Sequence, residues 1–178
     1  AVLSALTGAS VEEVTGRGGG LTDAAFLKKK HVIEHALSLH APDKNDPIDV
    51  LSKVGGFDLC AMTGVFLGAA IERIPVVVDG FISIVAALCA SRLSPNAKAY
   101  FIGSHRSFEI GYRLAETELG LHPCLELGMR LGEGSGCPIA FRVVEAACAV
   151  MCTMATFPEA AINDEYLTDI RAKDSFTV

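Results

Sequence analysis

Glu133 stands between two glycines in the run Arg130-Leu131-Gly132-Glu133-Gly134-Ser135-Gly136. A carboxylate held on such a turn can take a proton from a reacting group, the work of a general base. Glycine on each side lets the backbone bend sharply and come close to a ligand. The acid then points into space that no neighbouring side chain fills. Read without its surroundings, the run equally suits a glycine-rich turn with a solvated acid, because a negative charge is favourable at a helix start. What else reaches the same place decides between these readings.

Several other residues could take part. Gly16-Arg17-Gly18-Gly19-Gly20 is either a flexible connector or a set of backbone N–H groups that, with Arg17, surrounds an anion. Lys28, Lys29 and Lys30 follow on a helix and point in different directions, so at most one or two serve a common site; a solvated basic face is the alternative. Ser104, His105 and Asp79 are the residue types of a nucleophilic triad, but no Gly-x-Ser-x-Gly elbow accompanies them. His105, Cys124 and Glu133 lack the spacing of metal ligands, and His31 and His35 lack the glutamate of a His-Glu-x-x-His helix. No metal and no cofactor is expected.

The elements that must position these residues alternate between helix and strand. Residues 1–8 read as a helix, and Ser10 to Glu13 as a capping box. Helices are expected over 22–40 and 47–54, and a third over 57–73 whose apolar and small residues suit burial. Ile74 to Val78 reads as a buried strand, closed by Asp79-Gly80, and Phe81 to Leu88 as helix. Strands are also expected over 99–102 and 124–127. Between them Ser107 is placed to cap a helix whose Phe108, Gly111, Tyr112, Ala115 and Leu119 share a face. Pro138 fits the first turn of a last helix running to about residue 157. Strand alternating with helix implies an α/β fold, a parallel sheet flanked by helices. Ligands bind beyond the carboxyl ends of such strands. Three strand ends deliver Asp79-Gly80, residues 104–107 and residues 130–136 to one edge.

Composition excludes some classes. The 178 residues are 51% hydrophobic and 20% charged, with a formal net charge of −6. The mean hydropathy is +0.40 and the isoelectric point about 5.3. An acidic chain is a poor partner for a nucleic-acid backbone, although a local site can still take a small anion. The six cysteines form no Cys-x-x-Cys pair and no apolar run reaches membrane-spanning length, so a cytoplasmic setting is expected. The chain opens Ala1-Val2-Leu3-Ser4 without a methionine, as the middle of a helix would, and a piece of a longer protein is expected. The fold is assigned to residues 1–162, and residues 163–178 to a peripheral or disordered tail.

Four ordered motifs carry a resemblance. They are residues 49–58 (Asp49-Val50-Leu51-Ser52-Lys53-Val54-Gly55-Gly56-Phe57-Asp58), residues 75–81 (Pro75-Val76-Val77-Val78-Asp79-Gly80-Phe81), Ser104-His105-Arg106-Ser107, and the Glu133 run. Together they resemble the nicotinate-nucleotide–dimethylbenzimidazole phosphoribosyltransferases. The resemblance implies a Rossmann-like α/β fold, a homodimer, and transfer of phosphoribose from nicotinate mononucleotide to 5,6-dimethylbenzimidazole. It implies Glu133 as the base that deprotonates the benzimidazole, with a raised pKa if it is desolvated. It also implies Lys29 and Ser107 at the 5′-phosphate with Gly18 and Gly19 close by, Asp79 near the ribose, Leu131 at the aromatic base, and Gly132 and Gly134 as further substrate-binding residues. In that family a phosphate loop bearing glycine, asparagine and threonine precedes the point matching residue 1, so the resemblance is to the C-terminal part. A non-catalytic nucleotide- or phosphate-binding module, and transfer to another base such as adenine or a phenol, are the alternatives.

Overall fold

Helix α6 (Phe81–Leu93) is the centre of the core, and its sequence says why. Ile84 through Ser91 carry no strongly polar face, and all eight are buried. In the computed structural model, which describes residues 1–163 and 168, the chain divides into two compact units, Ala1–Phe141 and Arg142–Val178. In the first unit α6 packs against α5 (Phe57–Ile71), α7 (Tyr112–Leu119) and a 3-10 helix at Pro95–Tyr100. Around them lie α1 (Val2–Thr7), α2 (Val11–Val14), α3 (Asp23–His40) and α4 (Pro47–Val54). Helix α8 (Cys137–Thr153) starts in the first unit and continues into the second. No helix among the described residues is long and apolar enough to cross a membrane. Apart from Asn163 and Thr168, the expected tail lies outside the described residues.

Local chemistry sets most boundaries. Ser10 accepts from Glu13 N–H while the Glu13 carboxylate accepts from Ser10 N–H, a reciprocal box that starts α2. Thr22 caps α3, and the Asp46 carboxylate takes the N–H groups of Ile48 and Asp49 to start α4 behind Pro47. Helix α5 departs from expectation. Thr63 and Phe66 are its buried residues, whereas Phe57 is 95% and Ile71 78% exposed. A helix of small and apolar residues all round does not reveal which side is covered, and within its unit α6 takes one side.

The fold is α/β, rich in helix, with a small parallel sheet. Strands β1 (Val76–Val78) and β2 (Phe101–Gly103) pair in parallel with Val76 against Phe101 and Val78 against Gly103. Strand β2 begins later than expected because the 3-10 helix that Pro95 starts runs to Tyr100. The third strand expected over 124–127 is reduced to one bridge between His105 and Leu125, flanked by bonds from Arg106 N to Leu125 O and Phe108 N to Met129 O. Pro123 packs against Gly103 so closely that a Cβ there would stand 2.9 Å from Pro123 Cα. Proline has no N–H to give a ladder, so pairing fails at that point. The segment still runs beside residues 105–108 and delivers the glycine run to the carboxyl ends of β1 and β2.

Candidate functional site

The backbone around Glu133 is the most constrained part of the site. Gly132, Glu133 and Gly134 have φ of 77°, 56° and 73°. Ser135 N–H donates to Gly132 O at 3.0 Å, which closes a turn with both central residues left-handed. Glycine adopts that region freely, but for Glu133 it costs roughly 1–2 kcal/mol. Such strain persists only where the surroundings enforce it.

Asp79 enforces it. Its carboxylate accepts the N–H of Gly134 at 3.2 Å and of Gly136 at 2.8 Å. Asp79 lies just past β1, so a strand end clamps the loop that carries the acid. Ser104 and His105 are fully buried beside it. The triad reading fails on their geometry. Ser104 Oγ donates to Val78 O at 2.7 Å, and it is His105 Nδ1 that faces both Ser104 Oγ, at 3.0 Å, and Asp79 Oδ1, at 3.7 Å. A triad needs one ring nitrogen for the serine and the other for the acid. Neither Ser104 nor His105 lines the cavity described next.

Glu133 and every residue that the family resemblance assigns to the substrates share one cavity of about 750 Å³ within the first unit. Lys29, Gly18, Gly19 and Ser107 lie in its wall, as do Asp79, Leu131, Gly132, Glu133 and Gly134. Lys29 Nζ donates to Gly16 O at 2.8 Å and makes no ion pair among the described residues, so its charge is available to an anion. Lys30 pairs with Glu12 instead, and Lys28 is exposed. Arg17 does not serve the loop it sits in: it binds Asp23 at 2.5 Å and Leu21 O, and stacks on Phe26. The cavity volume is that of a small-molecule site.

The expectations for Glu133, Ser107 and Phe108 are corrected. Glu133 is exposed at the rim, not withdrawn from water, and forms no ion pair with Arg130 among the described residues. Ser107 does not cap α7, which starts at Tyr112; its Oγ accepts from Glu109 N–H at 3.4 Å in a loop. Phe108 accordingly projects outward, 70% exposed, while Tyr112, Ala115 and Leu119 form the buried face. Asp79 spends its carboxylate on the loop, whatever else it meets. Sequence reasoning also missed a wall formed by Asp58, Leu59 and Met62 on α5 with Phe81 and Val85 on α6. The spacing 58, 59, 62 on one helical face, with Phe81 directly after Asp79-Gly80, was the available signal.

Electrostatics around the clamp favour neutral neighbours. Burial, and then Glu116, push the Tyr112 hydroxyl well above its usual range. Burial, and then Asp79, push the Cys137 thiol up. The Tyr112 hydroxyl is buried without a hydrogen-bond partner among the described residues. Tyr112→Phe removes that unpaired group, and its expected effect is to leave stability unchanged or raise it by about 1 kcal/mol. Urea denaturation checks this; a loss of stability contradicts it.

A family model described as phosphoribosyltransferase matches residues 1–162. The nicotinate-nucleotide–dimethylbenzimidazole phosphoribosyltransferase of Clostridium perfringens (strain ATCC 13124) is 56% identical over 178 residues, all of this chain and 49% of that protein. The Clostridium tetani enzyme of the same name is 48% identical, over 97% of this chain and 48% of its own. The crystal structure of CobT from Thermus thermophilus superposes with a TM-score of 0.85 at 34% identity, covering 92% of this chain and 48% of that one. The chain therefore spans about half the length of the curated relatives it matches.

Proposed function

The chain belongs to the phosphoribosyltransferase family, and from that premise we propose that it carries the base and phosphate grip of a transfer from nicotinate mononucleotide to 5,6-dimethylbenzimidazole. The products are α-ribazole 5′-phosphate and nicotinate. The observation that carries this reading is the single cavity shared by Glu133, Lys29 and Ser107. Glu133 takes the proton from one benzimidazole nitrogen, and the other nitrogen attacks the ribose anomeric carbon. Attack opposite the nicotinate turns a β-link into an α-link. The leaving pyridine nitrogen is already cationic, so its departure needs no acid. Lys29, Ser107 and the backbone of Gly18 and Gly19 hold the 5′-phosphate, and Leu131 borders the acceptor. Holding two substrates in line supplies several kcal/mol, reaching about 7–11 for the best-oriented groups.

A homodimer belongs to the same proposal, supported by the large exposed side chains of Phe57, Val65 and Ile71 on α5, and a cytoplasmic setting goes with it. A second reading has its own support. Glu133 is open to water and the chain spans half of its relatives, which suits a module that binds the mononucleotide without turning it over. Nicotinate release by the full-length protein, followed by absorbance with and without 5,6-dimethylbenzimidazole, separates the two. Release that depends on the base is expected. Saturable binding of the mononucleotide with no release under any of a panel of bases, adenine and phenol included, supports the binding module.

A further inference from the structure

Asp79 is 7% exposed, yet no lysine or arginine among the described residues pairs with it. Its two oxygens face the amides of Gly134 and Gly136, residues 55 and 57 positions away, on the turn that holds Glu133 left-handed. Behind the carboxylate stands His105. The Ser104 hydroxyl has one hydrogen and gives it to Val78 O, so toward the imidazole it can only accept. That fixes Nδ1 as the ring's protonated nitrogen and turns this edge, 3.7 Å away, toward Asp79 Oδ1. Gly136 completes the packing: a Cβ on it would stand 2.1 Å from His105 Nδ1 and 2.9 Å from Asp79 Oδ1.

We propose that Asp79, backed by His105 and closed over by Gly136, is the positioning residue of the Glu133 turn: it sets where the base stands and leaves the mononucleotide to other groups. This rests on the reading of Glu133 as the base. The carboxylate is suited to the task because it accepts two N–H groups at once, and each bond to an ionised acceptor is stronger than one to a neutral group. Without it, a glutamate in a left-handed conformation on a solvent-exposed loop is held only by the loop's own backbone bonds, Ser135 N to Gly132 O and Cys137 N to Gly134 O.

Two substitutions test this from different directions. An asparagine side chain can accept one amide but must present its NH2 to the other, so Asp79→Asn opens one side of the clamp. Gly136→Ala keeps the carboxylate's charge and both of its oxygens but drives a methyl group against the imidazole and against Asp79 Oδ1. In the full-length protein both are expected to lower kcat about tenfold or more while KM for nicotinate mononucleotide stays within about twofold. If Asp79 instead grips the ribose, Asp79→Asn raises that KM and Gly136→Ala does not, which overturns the proposal.

A second readout needs no turnover. In the chain labelled with ¹⁵N-glycine, the Gly134 and Gly136 amides are expected to exchange with solvent about tenfold faster in Asp79→Asn, while helical Gly64 and Gly68 keep their protection. Unchanged exchange at Gly134 and Gly136 sinks the clamp. Faster exchange combined with full turnover in a Glu133→Gln enzyme leaves the clamp standing and removes the base reading instead, so the two failures are distinguishable.

Discussion

Glu133→Gln in the full-length protein is expected to cut turnover by about 10²–10⁴-fold, the usual contribution of a positioned general base. Affinity for nicotinate mononucleotide should change little, because Lys29 and Ser107, which line the same cavity, are untouched. Glutamine preserves the size, the turn and a hydrogen-bonding tip, but it cannot accept a proton. The substitution therefore isolates the chemistry from the fold. The expected loss should also shrink for an acceptor that arrives already deprotonated, since the step Glu133 performs is then complete. Single-turnover rates of nicotinate release, with mononucleotide binding measured separately, provide the check. Turnover within a few-fold of the parent would show that the acid on this turn is not the base.

Much of the site was legible because its parts are local signals brought together by one rule. Asp79, Ser107 and Glu133 each follow a strand or a strand-like segment, and parallel pairing of β1 with β2 collects such ends at one edge. Lys29 was legible as one of three lysines, and helical geometry alone required that only some of them face a common point. What was not legible depends on distant partners. Pro123 looks like an ordinary strand opening until Gly103 is seen against it. Arg17 looks like an anion ligand until Asp23 takes it. Ser107 has the residue type of a cap, but a hydrogen bond from Tyr112 N to Glu109 O places a turn between it and α7. The clamp is hard to read in the sequence: it joins Asp79 to backbone amides rather than to a side chain, and the need for glycine at 134 and 136 shows only once the left-handed turn and His105 are seen against them. The exposure of Glu133 is likewise a property of what packs over the loop, which the loop's own residues do not encode.

Lys29→Met tests the other half of the cavity. Methionine keeps the length and apolar stem of lysine and removes the charge. The ammonium is anchored to Gly16 O and has no carboxylate partner among the described residues, so it stands ready for an anion at no cost in broken ion pairs. Gly18, with φ of 59°, passes close enough that a Cβ there would lie 3.9 Å from Nζ. A side chain at that position would crowd any anion that meets the charge. A charge-assisted bond to phosphate is worth about 1.5–3 kcal/mol, which corresponds to a loss of roughly ten- to a hundredfold in affinity for nicotinate mononucleotide. The assignment to phosphate makes a sharper demand. Nicotinate riboside, which lacks the phosphate, should bind the parent more weakly than the mononucleotide does, and Lys29→Met should not weaken its binding further. Titration calorimetry of both ligands on both proteins forms a cycle whose coupling term isolates the Lys29–phosphate contact. A Lys29→Met protein that loses affinity for the riboside as much as for the mononucleotide would place Lys29 at another part of the substrate.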